Sequence, residues 1–106
     1  MDPAEYIRRV LDAYRATPGT CGAARKPDRA FALQLFARGV PLAVVENAFV
    51  LAAARRLARP ADAPPLGIIR SLAYFSPVID EVLALRIDDG YFQHLRHRLA
   101  RLLSEA

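Results

Sequence analysis

The chain has 106 residues, of which 54% are apolar and 25% charged, and it carries a formal net charge of +4 with a sequence pI near 9.8. This length suits one domain with one core, and the apolar fraction excludes a chain that is disordered by composition. The single cysteine, Cys21, excludes an internal disulfide and a thiolate metal cluster.

The amino-terminal residues and the apolar runs bear on the compartment. The start, MDPAEY, lacks the basic and apolar stretches of a signal peptide. The longest unbroken apolar run covers seven residues, 48–54, whereas a membrane span needs about 18. We therefore expect a cytoplasmic protein without a membrane-spanning segment.

Proline and glycine divide the first part of the chain into predicted helices. A first helix is expected from an N-cap at Asp2 to about Ala16, where a loop rich in Pro and Gly follows over residues 17–22. Pro27 suits the opening of a second helix, and Gly39 stands at the position of a C-terminal cap.

The third predicted helix, over about residues 41–58, is apolar on nearly all sides. Between Leu42 and Ala54 its only polar residues are Glu46 and Asn47. A helix of this kind is usually buried at the centre of a bundle. Arginines and then prolines follow at its carboxyl end, which indicates a helix terminus and a stiff connection.

The second part of the chain is also predicted to be helical. The stretch Leu66–Phe75 has apolar residues at helical spacing and no evident strand partner, so we predict a short helix there. Ser76 and Pro77 open the next helix, and one of the two aspartates at positions 88 and 89 can cap the last one.

The last predicted helix has two faces. At 100° per residue, one arc holds the side chains expected in the core: Tyr91, Phe92, Leu95, Leu99, Leu102 and Leu103. Another arc holds the cations: His94, His97, Arg98 and Arg101. With the preceding elements, this predicts an all-α fold, a compact bundle of five or six short helices around the central apolar helix, as a single domain over residues 1–106.

The segment over residues 31–49 has the spacing of a helix-turn-helix motif, with residues 39–41 as its turn. Two features disagree with that motif. Leu35 stands where a small residue normally lets the two helices approach, and the second helix offers only Glu46 and Asn47 to read base edges before its arginines. An ordinary αα-corner with a buried second helix is the favoured alternative.

Positive charge is concentrated in parts of the chain. Residues 21–60 have a net charge of +5, residues 61–90 of −3 and residues 91–106 of +2. This pattern favours a basic surface on one part of the fold, although the Arg and Ala bias is also what a GC-rich genome produces. Three sets of side chains are candidates for binding phosphates of nucleic acid: Arg25, Lys26 and Arg29; Arg55, Arg56 and Arg59; and His97, Arg98 and Arg101.

Each set also has an interpretation without a ligand. The first flanks a Gly-rich segment and is equally well explained as a solvated loop. The other two lie near helix carboxyl ends, where the helix dipole favours cations. The two histidines of the last helix add a possible pH-dependent contact to phosphate or to an acidic protein.

Signals for catalysis and metal binding are weak. His94 and His97 are three residues apart on one helix face, but no other ligand is placed by sequence to complete a zinc site. Asp80 and Glu81 are neighbours that point about 100° apart, which disfavours a carboxylate dyad. No Gly-rich phosphate loop and no hydrolase or metalloprotease motif is present. We predict a protein that is not an enzyme and that has no metal or cofactor.

Four strings of the sequence, TPGT, RGVPLAVVE, IRSLAYFSPVI and YFQHLR, occur in this order from residue 17 to residue 96. Their order and spacing resemble small uncharacterised helical proteins of bacteria that are often encoded near mobile elements. The second string is similar to helical segments of replication-initiation proteins. The resemblance covers most of the chain, carries no catalytic residue, and implies a DNA-linked role.

The leading hypothesis is therefore a small accessory protein that binds DNA mainly through phosphates, linked to replication or regulation of a mobile element. The alternative is a helical protein-interaction module, a homodimer or an adaptor, because an apolar excess in so small a domain can leave apolar surface exposed. A basic amphipathic helix at a membrane surface, over residues 91–103, ranks last because the same helix is needed for the core.

Overall fold

The computed structural model describes residues 1–85 and 89–105, except the side chains of Asp89 and Glu105. The described residues form five α-helices and one short 3-10 helix, which confirms the all-α prediction. The elements are α1 (Pro3–Ala16), α2 (Lys26–Ala37), α3 (Leu42–Leu57), the 3-10 helix η1 (Leu72–Phe75), α4 (Ser76–Leu85) and α5 (Asp89–Glu105). The Cα radius of gyration is 13.8 Å, close to the roughly 13 Å expected of a compact chain of this size.

Helix α3 is the centre of the bundle, as its apolar sequence predicts. Seven of its 16 residues are buried, and α1, α4 and α5 all pack against it. Its observed ends differ from the predicted range, 41–58, by one residue at each end, because Pro41 is the N-cap and Ala58 is the C-cap. Helix α2 is attached differently, since it packs on α1 and η1.

An aromatic cluster joins three of these elements in the core. The rings of Phe49 in α3 and Phe75 in η1 meet edge to face with their centroids 4.8 Å apart. Tyr14 of α1 lies 6.1 Å from Phe75 and 6.5 Å from Phe49. Edge-to-face pairs at these distances add to the stabilisation from apolar burial, so the short η1 is firmly placed against α1 and α3.

The turn between α2 and α3 ends α2 in a Schellman motif. Gly39 has a φ of +74°, its N–H donates to the Phe36 carbonyl (2.9 Å), and the Val40 N–H donates to the Leu35 carbonyl (3.1 Å). The Tyr6 hydroxyl of α1 donates to the Val40 carbonyl (2.8 Å), which fixes the turn on the bundle. Because α3 is buried after this turn, the arrangement agrees with an αα-corner and not with a helix that reads DNA bases.

The helix predicted over residues 66–75 is wrong for its first six residues. Residues 66–71 are not helical, and only η1 is. Ile69 forms an isolated parallel bridge with Thr20, and Ser71 has an extended backbone, so we call residues 66–71 the extended segment. The Ile69 N–H donates to the Gly19 carbonyl (2.7 Å), and the Cys21 N–H donates to the Ile69 carbonyl (3.0 Å). The partner of this extended segment is thus the loop after α1, which has no strand pattern of its own and could not be recognised by periodicity.

Helix α5 buries less of its apolar arc than predicted. Phe92 and Leu95 are buried against α3, and Leu99 is half-buried. Tyr91, Leu102 and Leu103 are 46%, 38% and 44% exposed. Among the described helices, only α3 makes an extensive contact with α5. The apolar arc of α5 is wider than the area that one neighbouring helix can cover, so part of the arc stays exposed. The aspartate predicted as the cap at position 88 lies outside the described residues.

A buried carboxylate ties the start of α2 to the start of η1. Asp28 is 2% exposed. One of its oxygens accepts from the Arg25 N–H (2.9 Å) and the other accepts from the Leu72 N–H (2.8 Å). Both are backbone donors at helix starts, where no intrahelical acceptor exists. The side chain therefore closes two helix ends at once, across 44 residues of sequence.

Replacement of Asp28 by Ala should destabilise the fold strongly. Two backbone N–H groups then lose their acceptors, at least one of them in the buried interior, and we expect the free energy of unfolding in urea to fall by about 2 to 4 kcal/mol. The Asp12→Ala variant is the matched control, because Asp12 is exposed and pairs only with Arg15; its loss should stay below about 0.5 kcal/mol. Equal losses in the two variants would contradict a structural role of Asp28.

The Tyr14 hydroxyl is buried and has no hydrogen-bond partner among the described residues. Burial, together with the nearby Asp28 carboxylate and Cys21 thiol, raises the pKa of Tyr14 from its ordinary value of 10.0 to about 12. The fold therefore favours the neutral phenol. The stability of the fold relative to the unfolded chain is unaffected by ionisation of this tyrosine below pH 10. It falls as the pH rises from 10 toward 12, because Tyr14 ionises in the unfolded chain before it ionises in the fold.

The Tyr14→Phe variant should lose part of this alkaline sensitivity. It removes an unpartnered buried hydroxyl, so its free energy of unfolding at pH 7 should stay within about 1 kcal/mol of the parent protein. Between pH 10 and 12 it should lose less stability than the parent. Urea denaturation at a series of pH values checks this, and identical alkaline profiles would contradict the assignment to Tyr14.

Candidate nucleic-acid interface

Three predicted cations line one cleft at the carboxyl end of α3. After α3 the chain passes through a Pro-rich connection and returns along the extended residues 66–71, so that η1 and α4 form the opposite wall. The cavity has a volume of about 390 Å³. We call it the arginine cleft, and its lining includes Arg55, Arg56, Arg59, Leu66, Tyr74 and Val78.

Two of these arginines are held by neutral acceptors. Arg56 donates from Nη2 to the Gly67 carbonyl (2.9 Å) and from Nη1 to the Tyr74 hydroxyl (3.3 Å). Arg59 donates from Nη2 to the Pro64 carbonyl (2.7 Å). A carbonyl or hydroxyl oxygen orients a guanidinium without cancelling its charge. Both side chains are therefore positioned and still cationic.

Arg55 differs from its two neighbours. It forms a bidentate ion pair with Glu81 of α4, with Nη1 to Oε2 at 2.8 Å and Nη2 to Oε1 at 2.5 Å. This hydrogen bonding raises the pKa of Arg55 and lowers the pKa of Glu81. The charge of Arg55 is locally neutralised, so it has less to offer a phosphate than Arg56 or Arg59.

The first predicted set lies at the start of α2. Arg25 is the N-cap residue, Lys26 is the first helical residue, and Arg29 follows in the first turn. All three are exposed, and no ion pair involves them in the described part of the chain. Through the Asp28 hydrogen bond, this end of α2 adjoins η1, which also supplies Tyr74 to the arginine cleft.

The third predicted set lies elsewhere. His97, Arg98 and Arg101 are exposed on α5. Arg98 lines a second depression, between α3 and α5, which has a volume of about 290 Å³ and does not include Arg56 or Arg59. The fold therefore separates Arg98 from Arg56 and Arg59, whereas Arg55 lines both depressions.

Sequence reasoning missed three residues that shape these surfaces. Asp28 counted only as a negative charge. Tyr74 belongs to a segment predicted as an ordinary helix, and its exposure in the cleft depends on the fold. Arg96 donates to the Asn47 side-chain oxygen (2.8 Å) and so satisfies a buried amide of α3. The only sequence signal for that pair is the presence of an amide in an otherwise apolar run.

The described residues hold no cluster of metal ligands and no helix that could span a membrane. Within residues 1–85 and 89–105, no three His, Cys, Asp or Glu side chains gather as a metal site would require. None of the helices described there combines the length and apolar character needed to cross a bilayer.

Comparison with family models, curated proteins and solved structures finds no match to this chain.

Arg56 should hold the extended segment against the loop after α1. Its guanidinium binds the Gly67 carbonyl and lies where a side chain on Gly19 would be, with Nε 3.0 Å from an ideal Cβ at that position. The Gly19 carbonyl accepts the Ile69 N–H. In Arg56→Gln we expect hydrogen exchange of the Ile69 amide to accelerate about fivefold, the effect of losing about 1 kcal/mol of local stability.

The matched control for this experiment is Arg59→Gln. It makes the same substitution three residues later but removes only the contact to the Pro64 carbonyl. The Ile69 amide should exchange within about twofold of the parent rate. Equal acceleration in both variants would show that the effect is general charge loss and not loss of the Arg56 contacts.

Proposed function

We propose that this protein is a small accessory protein, not an enzyme, that binds nucleic acid mainly through phosphate contacts at the arginine cleft. The observation that carries the proposal is the state of Arg56 and Arg59. Backbone carbonyls orient both guanidinium groups, and no ion pair of the described residues neutralises them. Such guanidinium groups can donate hydrogen bonds to a phosphate without giving up an existing carboxylate partner.

The cleft also contains an aromatic side chain. Tyr74 is 46% exposed, and the Arg56 guanidinium lies 5.9 Å from its ring centroid. Cations that follow a backbone and an aromatic ring that stacks on a base are the usual elements of single-strand binding. The cleft therefore suits an unpaired segment or a strand end of nucleic acid better than an intact duplex, whose bases are already stacked and paired.

The cations at the start of α2 extend the proposed contact. Arg25, Lys26 and Arg29 are exposed and lie next to η1. Phosphate contacts add affinity without reading sequence. Because α3 has no polar face that could enter a groove of duplex DNA, we propose no direct contact with base edges. The resemblance to proteins encoded near mobile elements supports a role in their replication or regulation.

Binding should depend on salt and on Arg59. Labelled single-stranded DNA, duplex DNA and RNA are titrated with the protein at two salt concentrations, and binding is followed by fluorescence polarisation. We expect Arg59→Gln to weaken single-strand binding about tenfold at the lower salt, as the loss of a charged hydrogen bond predicts. We also expect it to lower the slope of log affinity against log salt by about 1.

The control variant is Arg8→Gln, which removes one exposed cation of α1 outside the cleft. It should change affinity less than threefold, the order expected of a distant surface charge. Arg55 and Arg56 are unsuitable for this test, because their loss also removes an ion pair and the contacts to residues 67 and 74. Undetectable binding at low salt, or equal losses in Arg8→Gln and Arg59→Gln, would overturn the proposal.

A further inference from the structure

The depression between α3 and α5 is a second surface with different chemistry. Its lining includes Leu57, Tyr91, Leu95, Arg98, Leu99 and Leu102. We call it the α3/α5 groove. It lies where the apolar arc of α5 extends beyond the contact with α3, and Leu57 at the end of α3 is 43% exposed. The groove is thus a continuous apolar strip between two helices.

The groove has the dimensions of a helix-binding site. The apolar side chains of α5 that line it are four, four and three residues apart, from Tyr91 to Leu102. At 1.5 Å per residue this strip is about 16 Å long, or three helical turns. Apolar anchors spaced along a groove between two helices are the usual receptor for the apolar face of an amphipathic helix.

The charge around the groove selects the partner. Helix α5 has an acidic residue at each end, Asp89 and Glu105, and between them it contains three arginines and two histidines. Two arginines line the groove: Arg55, which is paired with Glu81 of α4, and Arg98, which forms no ion pair with any described residue. A helix that docks here with its apolar face must place its polar flanks beside these cations. Acidic flanks are complementary, whereas basic flanks are repelled.

A second copy of this chain does not fit that requirement. Pairing α5 with another α5 would bring cations against cations. The acidic side chains of α4 are already engaged, because Asp80 pairs with Arg38 and Glu81 pairs with Arg55. In α1, Glu5 and Asp12 pair within their own helix, and its apolar face is buried in the core. No described helix of the chain offers both an exposed apolar face and unpaired acids.

We propose that the α3/α5 groove binds an acidic amphipathic helix of a partner protein, with Arg98 facing the acidic flank of that helix. This inference is independent of nucleic-acid binding at the arginine cleft. It assigns the exposed apolar residues of α5 a role in recognition, which the core does not give them.

The test uses three labelled 18-residue peptides and fluorescence anisotropy with the full chain. The first is a Leu/Glu/Ala peptide with Leu at positions i, i+3, i+4 and i+7, the second has the same composition in scrambled order, and the third replaces Glu by Lys. We expect saturable binding of the first peptide, at least tenfold weaker binding of the scrambled peptide, and no binding of the Lys peptide.

Variants then locate the site. Leu102→Gln should weaken binding of the acidic peptide at least fivefold through the apolar contact, and Arg98→Gln should weaken it through the charge. Arg8→Gln should leave it unchanged. Leu102→Gln keeps every cation of the protein, so its nucleic-acid binding should stay at the parent level, which separates failure of this proposal from failure of the proposed function.

Three outcomes would overturn the inference. Equal binding of the ordered and scrambled acidic peptides would show general charge attraction without a groove. Light scattering that shows a dimer of the parent protein but a monomer of Leu102→Gln would show that a second copy occupies the groove instead. Unchanged peptide binding in Leu102→Gln, with native circular dichroism, would place the peptide elsewhere.

Discussion

The burial of α3 on several sides is the constraint on which the rest of the structure depends. An apolar helix of this length needs a neighbour on each apolar side, and α1, α4, α5 and η1 supply them. Its buried amide, Asn47, is satisfied by Arg96 of α5. A helix buried in this way has no broad polar face, and apart from Glu46 its charged side chains are at its carboxyl end, where Arg55 and Arg56 lie in its last turn and Arg59 follows.

The return of the chain after α3 decides what those arginines can do. The segment over residues 66–71 presents one backbone carbonyl, that of Gly67, to Arg56, and the Pro-rich connection presents that of Pro64 to Arg59. Helix α4 presents a carboxylate to Arg55 instead. Three arginines within five residues therefore have two electrostatic states. Two stay cationic and are oriented by neutral acceptors, while the third is neutralised by a carboxylate.

The arginine cleft and the α3/α5 groove differ in the force that they offer a ligand. The cleft offers charge with one aromatic ring, and contacts of that kind weaken steeply with salt. The groove offers apolar surface with a cationic edge, so that a ligand bound there would gain most of its binding energy from burial and would depend less on salt. Arg55 lines both, and its ion pair with Glu81 keeps it from being freely available to either ligand.

Much of the fold could be predicted from the sequence because local rules act there. Helical spacing, the N-cap at Asp2, the C-terminal glycine at position 39 and the apolar run of α3 each depend on residues a few positions apart. The extended residues 66–71 could not be predicted. Their hydrogen bonds go to a loop about 50 residues earlier. Arg56 contacts Gly67 within the segment, and Asp28 binds the N–H of Leu72 directly after it, and neither contact has a local signature.

The candidate sites divide in the same way. The sequence by itself determined that the protein is helical, that α3 is central, and that cations concentrate at residues 25–29, 55–59 and 94–101. Only the tertiary structure decided which of those cations are paired, that Arg56 and Arg59 line a different depression from Arg98, and that α5 keeps part of its apolar arc exposed. The physical reason is that pairing and burial depend on which side chain of a distant element lies within a few ångströms, and the spacing of residues along one helix does not contain that information.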